Sequence, residues 1–269
     1  MRFPMRRRVA LVFSAWMLSS SLSAGAELQE RTLRAYESYR ANAEKQFFAR
    51  QHTPNTPPSS EIVGRPAGED GIISIAGGLI HHWVGTCFIR GVNLQTAIEV
   101  SRRYDVYPSI YKEIVTSRVL ERDADKYRIL ARVKDREAGI TAVLDVRSTV
   151  RYVFPDRGHA FTVSNSEEIR EVRRAGMADE VLLPAGRDSG YLWKADVFTA
   201  FVQMADGVYI ETETLGLSRA FPPMLGWIIE PIARRFGRKS VVVSLEQFEA
   251  AAIAAAAPAQ EAHSGRELQ

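Results

Sequence analysis

The chain has 269 residues, a formal net charge of +3 and one cysteine, Cys87. A single cysteine excludes an internal disulfide framework, and a chain of this length can bury enough apolar surface without one. Four arginines and no acidic residue lie in the first 26 positions, so the remaining chain carries about −1, and its charge does not indicate a nucleic-acid partner.

Residues 1–26 have the pattern of a secretory signal peptide. Their arginines precede an apolar stretch over 9–18, and Ala24-Gly25-Ala26 supplies a small-residue cleavage pattern. The apolar stretch is too short for a membrane-spanning helix, which needs about 20 residues. We therefore expect cleavage near Ala26 and a protein that is periplasmic or secreted.

The next segments differ in composition. Residues 27–50 are charged with apolar residues at roughly helical spacing, which predicts an N-terminal helix on the domain surface, although a solvated arm would have the same composition. Residues 51–70 are rich in Pro, Ser and Gly and indicate a linker. We expect the compact domain over 71–257 and a flexible tail over 258–269.

The first half of the domain predicts one strand, two short helices and more strands. Residues 72–89 have a strand pattern that Gly77-Gly78 interrupts. Asn93 can cap a helix that ends near Arg103, and a second short helix is expected over 104–111. Four strand-like runs with short polar links follow, at 112–121, 126–137, 140–154 and 159–174, and then a loop over 175–189.

The stretch 190–255 predicts a long hairpin followed by a helix. Two apolar, aromatic-rich runs meet at Asp206-Gly207, a strong hairpin signal. In the first run, alternate residues from Tyr191 through Trp193 to Phe201 are expected to share one face. From Ser240 onward one helical stripe is formed by Val241, Leu245, Phe248 and Ala252. Strands followed by a terminal helix indicate an α+β fold, with a curved antiparallel sheet around that helix.

This order of elements resembles the helix-grip fold of the START-like superfamily, also labelled SRPBCC, which includes polyketide cyclases and aromatases. The resemblance covers about residues 72–255 and rests on diffuse features: Gly78-Leu79-Ile80-His81-His82-Trp83, Tyr104-Asp105-Val106-Tyr107-Pro108 and Gly190-Tyr191-Leu192-Trp193. It implies a sheet of about six or seven strands wrapped around the C-terminal helix, two short helices after the first strand, and an internal cavity for apolar ligands. It implies no single reaction.

Eight residues are candidates to line that cavity. Aromatic side chains supply most of them, although a plain hydrophobic core predicts the same residues. Glu211 and Glu213 share a strand face with Tyr209 and can orient the polar end of a ligand if they point inward, or lie on a solvated outer face if they do not. The predicted lining is Tyr191, Trp193, Phe201, Tyr209, Glu211, Glu213, Trp227 and Phe248.

The expected function is that of an exported binding or carrier protein for a lipid or another hydrophobic small molecule, with no cofactor. An alternative is a cyclase- or aromatase-type enzyme, which needs an acid/base pair, for which Glu211, Glu213, His81, His82 and Tyr209 are the candidates. The signal peptide argues against that alternative because polyketide assembly is intracellular. Adjacent His81 and His82 should point to opposite faces of a strand, so they do not predict a metal site.

The segment from Phe221 to Lys239 combines apolar residues with a basic cluster of Arg234, Arg235, Arg238 and Lys239. Such a pattern can dock on an anionic membrane surface, although it more often packs on its own domain with the arginines solvated. A third alternative is therefore an envelope interaction protein, in which this segment or the 27–50 helix contacts a partner or the membrane.

Overall fold

The computed structural model describes residues 26–54, 58–59, 61–137, 140–220 and 226–264. Its helices are α1 (Glu30–Ala49), α2 (Leu94–Ser101), α3 (Tyr107–Ile110) and α4 (Gly226–Ser264), with a turn of 3₁₀ helix at Tyr104–Val106 between α2 and α3. Its strands are β1 (Ala26–Glu27), β2 (Val63–Pro66), β3 (Ile72–Ile75), β4 (Gly78–Arg90), β5 (Ile114–Asp123), β6 (Lys126–Glu137), β7 (Ile140–Val153), β8 (His159–Arg173), β9 (Val181–Leu182), β10 (Arg187–Asp188), β11 (Lys194–Met204) and β12 (Gly207–Arg219).

Ten of these strands form one antiparallel sheet. In it β5, β6, β7, β8, β11 and β12 pair in succession as a meander, and β4 pairs with the other side of β12. Strands β2 and β3 both pair with β4, and β9 pairs with β8, whereas β1 and β10 form a separate ladder. A long strand, two short helices, a meander and a long C-terminal helix follow one another, which confirms the predicted α+β helix-grip architecture.

The expected number of six or seven strands is wrong because short strands add to the sheet. The segment expected to be a linker contributes β2, which pairs with residues 83–86 of β4. The first predicted strand is divided into β3 and β4 by Gly77, whose φ of +81° is rare for a residue with a side chain. Strand β9 lies in the expected loop over 175–189. Strands of two to four residues are too short to show a period-two pattern.

Two connections between elements, the start of α2 and the β11–β12 hairpin, form as the local sequence predicts. The Asn93 side chain accepts a hydrogen bond from the backbone N–H of Thr96 at 2.8 Å and so caps α2. The hairpin of β11 and β12 turns next to Asp206, and Met204 pairs with Gly207 to close it.

Helix α4 packs on one face of the sheet, called the inner face here, over β4 and β2. Its buried residues include the predicted stripe of Val241, Leu245, Phe248 and Ala252. Gly85 of β4 permits this close approach, because a Cβ there would lie 2.8 Å from Leu245 Cδ1 and nearer still to Val241 Cγ1. The helix begins at Gly226, well before Ser240, where the stripe becomes visible in the sequence.

Part of α4 is apolar over an unusual length. The stretch Gly237–Ala257 is long and apolar enough to cross a membrane by length and composition alone. A core helix of a soluble protein has the same properties, and in this structure one side of the stretch is buried against the sheet. That packing buries 28% of the stretch and leaves residues such as Ile253 exposed.

Helix α1 covers the opposite, outer face of the sheet. Tyr36 and Phe47 are 1% and 0% exposed, and they belong to an apolar cluster with sheet residues that include Phe198 and Leu217. The sheet is therefore covered by a helix on each side. The alternative of a solvated arm does not describe residues 30–49.

Candidate functional site

The alternation of side chains along β12 shows which residues face which helix. Val208 and Ile210 belong to the apolar cluster that contains the buried residues of α4, whereas Leu215 and Leu217 belong to the cluster that contains those of α1. Successive residues of a strand point to opposite faces. Even-numbered residues of β12 therefore face α4, and odd-numbered residues face α1.

The inner face is incompletely covered over β11. Ala195, Val197 and Thr199 point to the same side as Phe201, which packs in the α4 cluster, yet all three are only half-buried. On the opposite side of the same strand, Phe198 is 0% exposed beneath α1. A partly open apolar surface between a sheet and a helix is a place where an apolar molecule can gain burial.

A row of hydroxyl groups crosses this part of the inner face. Thr199 is paired with Thr162 on one side and with Thr212 on the other, and Tyr152 is paired with Thr162. Directly paired residues point to the same face, so the four side chains form one row across β7, β8, β11 and β12. Thr199 Oγ1 and Thr212 Oγ1 are hydrogen-bonded at 3.1 Å. Thr162, Thr212 and Tyr152 are buried and Thr199 is half-buried, so Thr199 is the member of the row that can orient one end of an otherwise apolar ligand.

Aromatic residues lie on one side of this hydroxyl row. Phe201 is paired with Ala160 and Ile210 in the neighbouring strands. Its ring centroid is 6.0 Å from that of Phe248 in α4, at an interplanar angle of 57°. The two rings join the sheet to the helix beside the half-buried residues of β11.

Tyrosines fill the end of the row against α2. The hydroxyl groups of Tyr104 and Tyr152 are 2.8 Å apart, and Tyr107 and Tyr152 donate to the Ser101 carbonyl at 2.7 and 3.0 Å. Burial raises the pKa of Tyr104 and of Tyr152, so both stay protonated. Because these hydroxyl groups already bond one another and the backbone, we assign the cluster to the packing of α2 on the sheet.

The eight predicted lining residues do not face one space. Phe201 and Phe248 face each other across the inner side, whereas Trp193, Tyr209, Glu211 and Glu213 lie on the side of α1. Tyr191 precedes β11 and is half-buried. Trp227 lies in α4, and its side chain is outside the described residues.

Trp193 departs from the expected common face because β11 begins only at Lys194. The strand alternation therefore does not extend to it. Its indole N–H donates to Asp188 Oδ1 at 3.0 Å, and its ring packs in the α1 cluster. Burial raises the pKa of Asp188, and the hydrogen bonds from Gly190 and Trp193 oppose that rise.

His81 is the one member of the predicted acid/base set that points to the inner face. Its Nε2 is 2.8 Å from Ser218 Oγ. Burial lowers the pKa of His81 to about 4, so the imidazole is neutral at pH 7.

Glu213 and His82 form a buried pair on the outer face. Glu213 is 2% exposed and His82 is 5% exposed, and His82 Nε2 lies 2.7 Å from Glu213 Oε1. The other ring nitrogen of His82 is 2.8 Å from the hydroxyl oxygen of Tyr39 in α1. Burial by itself would raise the pKa of Glu213, but hydrogen bonds from His82 and Arg50 and their charges lower it below its ordinary value.

Arg50, just after α1, joins the second carboxylate to this pair. Its guanidinium contacts Glu213 and lies 3.2 Å from Glu211 Oε1, and His52 Nδ1 lies 3.3 Å from the same oxygen. Burial would raise the pKa of Glu211, but His52 and Arg50 outweigh it and lower the pKa. Both glutamates are therefore ionised and face Arg50 from the segment that follows α1, on the outer face and away from the expected cavity beneath α4.

A groove of about 620 Å³ opens beside this network. It lies between α1 and the segment that joins β2 to β3, and its lining includes Tyr39, Arg50, Arg65, His82 and Glu213. Most of these residues lie outside the predicted lining. Tyr39 and Arg50 belong to a segment whose position on the sheet no local pattern specifies, and the hydroxyl row is visible only once the strand register is known.

No group of three or more His, Cys, Asp or Glu side chains that could hold a metal ion occurs in the part of the chain that the structure describes.

Cys87 is buried on the inner face. Burial, with a contribution from the charge of Glu249, raises the pKa of its thiol to about 12, so it acts as a small apolar residue.

Comparisons with known proteins identify similar structures but no family model. No protein-family model matches the chain, and no curated protein matches it. The STAR-related lipid transfer protein from Xanthomonas axonopodis is 14% identical, with 66% of this chain and 99% of that chain covered and a TM-score of 0.42. Human STARD10 is 10% identical, with 84% and 82% covered and a TM-score of 0.45. The di-domain aromatase/cyclase StfQ from the steffimycin biosynthetic pathway is 13% identical, with 68% and 52% covered and a TM-score of 0.45.

Proposed function

We propose that this protein is exported and binds an apolar small molecule or a lipid between the inner face of the sheet and α4. The observation that carries the proposal is the half-buried surface of Ala195, Val197 and Thr199, which lies beside the hydroxyl row and the Phe201–Phe248 contact. Apolar side chains would bury the body of the ligand, and the hydroxyl group of the half-buried Thr199 would orient its polar end. Export rests on the residues of the first 26 positions.

Native mass spectrometry with organic extraction tests the proposal on protein purified from its own host. We expect one lipid or apolar metabolite per chain. A protein recovered empty, which also fails to take up 11-(dansylamino)undecanoic acid, would overturn the proposal.

A substitution on the inner face tests the location of the site. Val197→Trp should weaken the binding of the dansylated fatty acid at least about tenfold, since the indole would fill space that the ligand needs and a tenfold change is about 1.4 kcal/mol. Val115→Trp is the matched control, because Val115 is 48% exposed on β5 at the edge of the sheet. Fluorescence titration of both variants gives the two affinities, and equal affinities would contradict this location.

A cyclase- or aromatase-type enzyme is the second candidate function, and the position of His81 is the observation that favours it. A neutral imidazole on the inner face can accept a proton from a bound substrate. Of the other candidates, Glu211, Glu213, His82 and Tyr209 face α1. Turnover that survives His81→Gln would exclude this role for His81.

The proposal includes peripheral membrane contact through the segment from Phe221 to Lys239. Arg235 and Arg238 are exposed on the surface of α4, which favours it, whereas Arg234 lies 2.9 Å from Asp70 in an ion pair. Residues 221–225 lie outside the described residues. Replacing Arg235 and Arg238 with glutamate should reduce binding to vesicles that contain anionic lipid. Unchanged binding in a flotation assay would contradict the contact.

A further inference from the structure

The groove on the outer face contains a hydrogen-bonded chain of tyrosine, histidine and glutamate that ligand binding on the inner face does not use. Tyr39, His82 and Glu213 all line this groove of about 620 Å³. The two hydrogen bonds of the chain are 2.8 and 2.7 Å long. A nucleophile bonded to a base, with a third group that orients the base, is the arrangement on which covalent catalysis depends.

The two hydrogen bonds of the chain are compatible with His82 acting as a base toward Tyr39. The lowered pKa of Glu213 keeps its carboxylate ionised, so it accepts the hydrogen bond from Nε2–H of His82. In the tautomer that donates from Nε2, Nδ1 is the acceptor for the Tyr39 hydroxyl group. Burial and the charge of Glu213 raise the pKa of Tyr39, so the phenol is protonated and needs a base before it can attack.

Tyr36, also in α1, is an example of a tyrosine whose hydroxyl group only holds the helix on the sheet. One turn earlier on the same helix, its hydroxyl bonds directly to Asp196 Oδ2 at 2.7 Å, and the residue is 1% exposed. Tyr39 is only half-buried, borders the groove and bonds a histidine instead of a carboxylate. A tyrosine that only holds α1 on the sheet needs neither an adjacent groove nor a histidine partner.

We propose that the outer-face groove is an acyl-transfer site that takes a carboxylic ester, with Tyr39 as the nucleophile. The Tyr39 oxygen attacks the ester carbonyl carbon while its proton passes to His82 Nδ1. The bond to the alcohol oxygen breaks, and that oxygen takes the proton from His82. Water then attacks the acyl-tyrosine ester, giving its proton to His82, which returns it to the Tyr39 oxygen as the carboxylic acid leaves.

The remaining lining of the groove fits this chemistry. The Arg50 guanidinium is paired with Glu211 and Glu213, so Arg65, which also borders the groove, is the cation that can approach the oxygen that becomes negative during attack. Glu213 stabilises the imidazolium that forms when His82 takes the proton.

Acylation with p-nitrophenyl acetate tests the proposal on the purified protein. We expect a burst of p-nitrophenol that approaches one equivalent per chain, and one acetyl group that peptide mapping places on Tyr39. Tyr39→Phe should abolish both, whereas Tyr36→Phe, the same chemical change one turn away, should retain both. Circular dichroism of the two variants checks that each is folded.

Replacement of the base tests the relay itself. Because general base catalysis contributes about 10²–10⁴-fold, His82→Gln should slow acylation about a hundredfold or more, and Glu213→Gln should slow it less. If either variant fails to fold, the comparison of Tyr39→Phe with Tyr36→Phe still tests whether Tyr39 is the nucleophile. No acetylated protein, acetyl groups on lysine alone, or an equal burst in Tyr39→Phe would overturn the proposal.

Discussion

His81 and His82 are successive residues of β4 that meet opposite environments. His81 points to the inner face and bonds Ser218, whereas His82 points to the outer face and lies between Glu213 and Tyr39. Strand alternation makes this separation predictable from the sequence. The partners are not predictable, because Glu213 and Tyr39 are 131 and 43 residues away along the chain.

The lowered pKa of His81 predicts a stability change in mild acid. An unfolded histidine takes up a proton near pH 6.5, whereas His81 in the folded chain does so only near pH 4. The unfolded state therefore binds more protons in this window, and stability is lost as the pH falls from 6.5 to 4. For this partly buried ring we expect a loss of about 2 kcal/mol.

His81→Gln should remove that part of the pH dependence. Urea unfolding of both proteins between pH 7 and pH 4 measures it, and the difference between them isolates His81 from the carboxylates. Glu213, with its lowered pKa, contributes stability that is lost only below its ordinary value of 4.5, and Asp196, whose pKa burial raises, acts in the opposite sense. Parallel curves for the two proteins would show that His81 does not titrate in this way.

The orientation of Glu211 and Glu213 illustrates a limit of sequence patterns at the residue scale. The period-two pattern shows that they share a face, but not which face, because Thr212 and Thr214 are also compatible with either side. A helix packs on each face of the sheet, so neither residue type could be assigned to water. The partners of the glutamates, Arg50 and His52, belong to the segment between α1 and β2.

Among the elements, α1 has the largest effect on which part of the sheet is exposed, because it covers the outer face. Its sequence predicts a helix, and the buried Tyr36 and Phe47 show that the helix is an integral layer. The sequence does not predict the face that it covers, because helical spacing gives only the apolar stripe and not its partner. The acyl-transfer site proposed above exists only where α1 meets the sheet.

Substitution of two adjacent phenylalanines of α1 tests how much the helix contributes to the free energy of unfolding. Phe47 is 0% exposed, whereas Phe48 is 38% exposed. Phe47→Ala should lower the free energy of unfolding by about 3–5 kcal/mol, as for other buried phenylalanines, and Phe48→Ala by much less. Denaturant unfolding of both variants checks this difference, and small, equal losses would show that α1 is a detachable arm.

At the scale of the whole molecule, the order of elements is the best-predicted property. Long strands, the hairpin turn at Asp206 and the stripe of α4 carry periodicities that span many residues, so they can be read without tertiary information. The short strands and the second helical layer depend on contacts between distant segments. The predicted lining combined residues of both faces for the same reason. With a helix on each face, aromatic residues are buried on both sides of the sheet, and the sequence does not show which side each one occupies.

The two helical layers also separate the two proposed sites. The ligand surface faces α4 and the ester groove faces α1, with the sheet between them. Substitutions at well-separated positions on opposite faces should therefore have additive effects on stability.

The contacts of α1 have a consequence for the order of folding. Tyr36 meets Asp196 and Arg50 meets Glu213, across separations of 160 and 163 residues. Such long loops are slow to close, so α1, although it precedes the sheet in the sequence, is among the last elements to find its place. Until β11 and β12 are available, the apolar stripe of α1 has no surface to cover. For the export proposed above, a chain in that state is still open, which is the form that a translocation channel can thread.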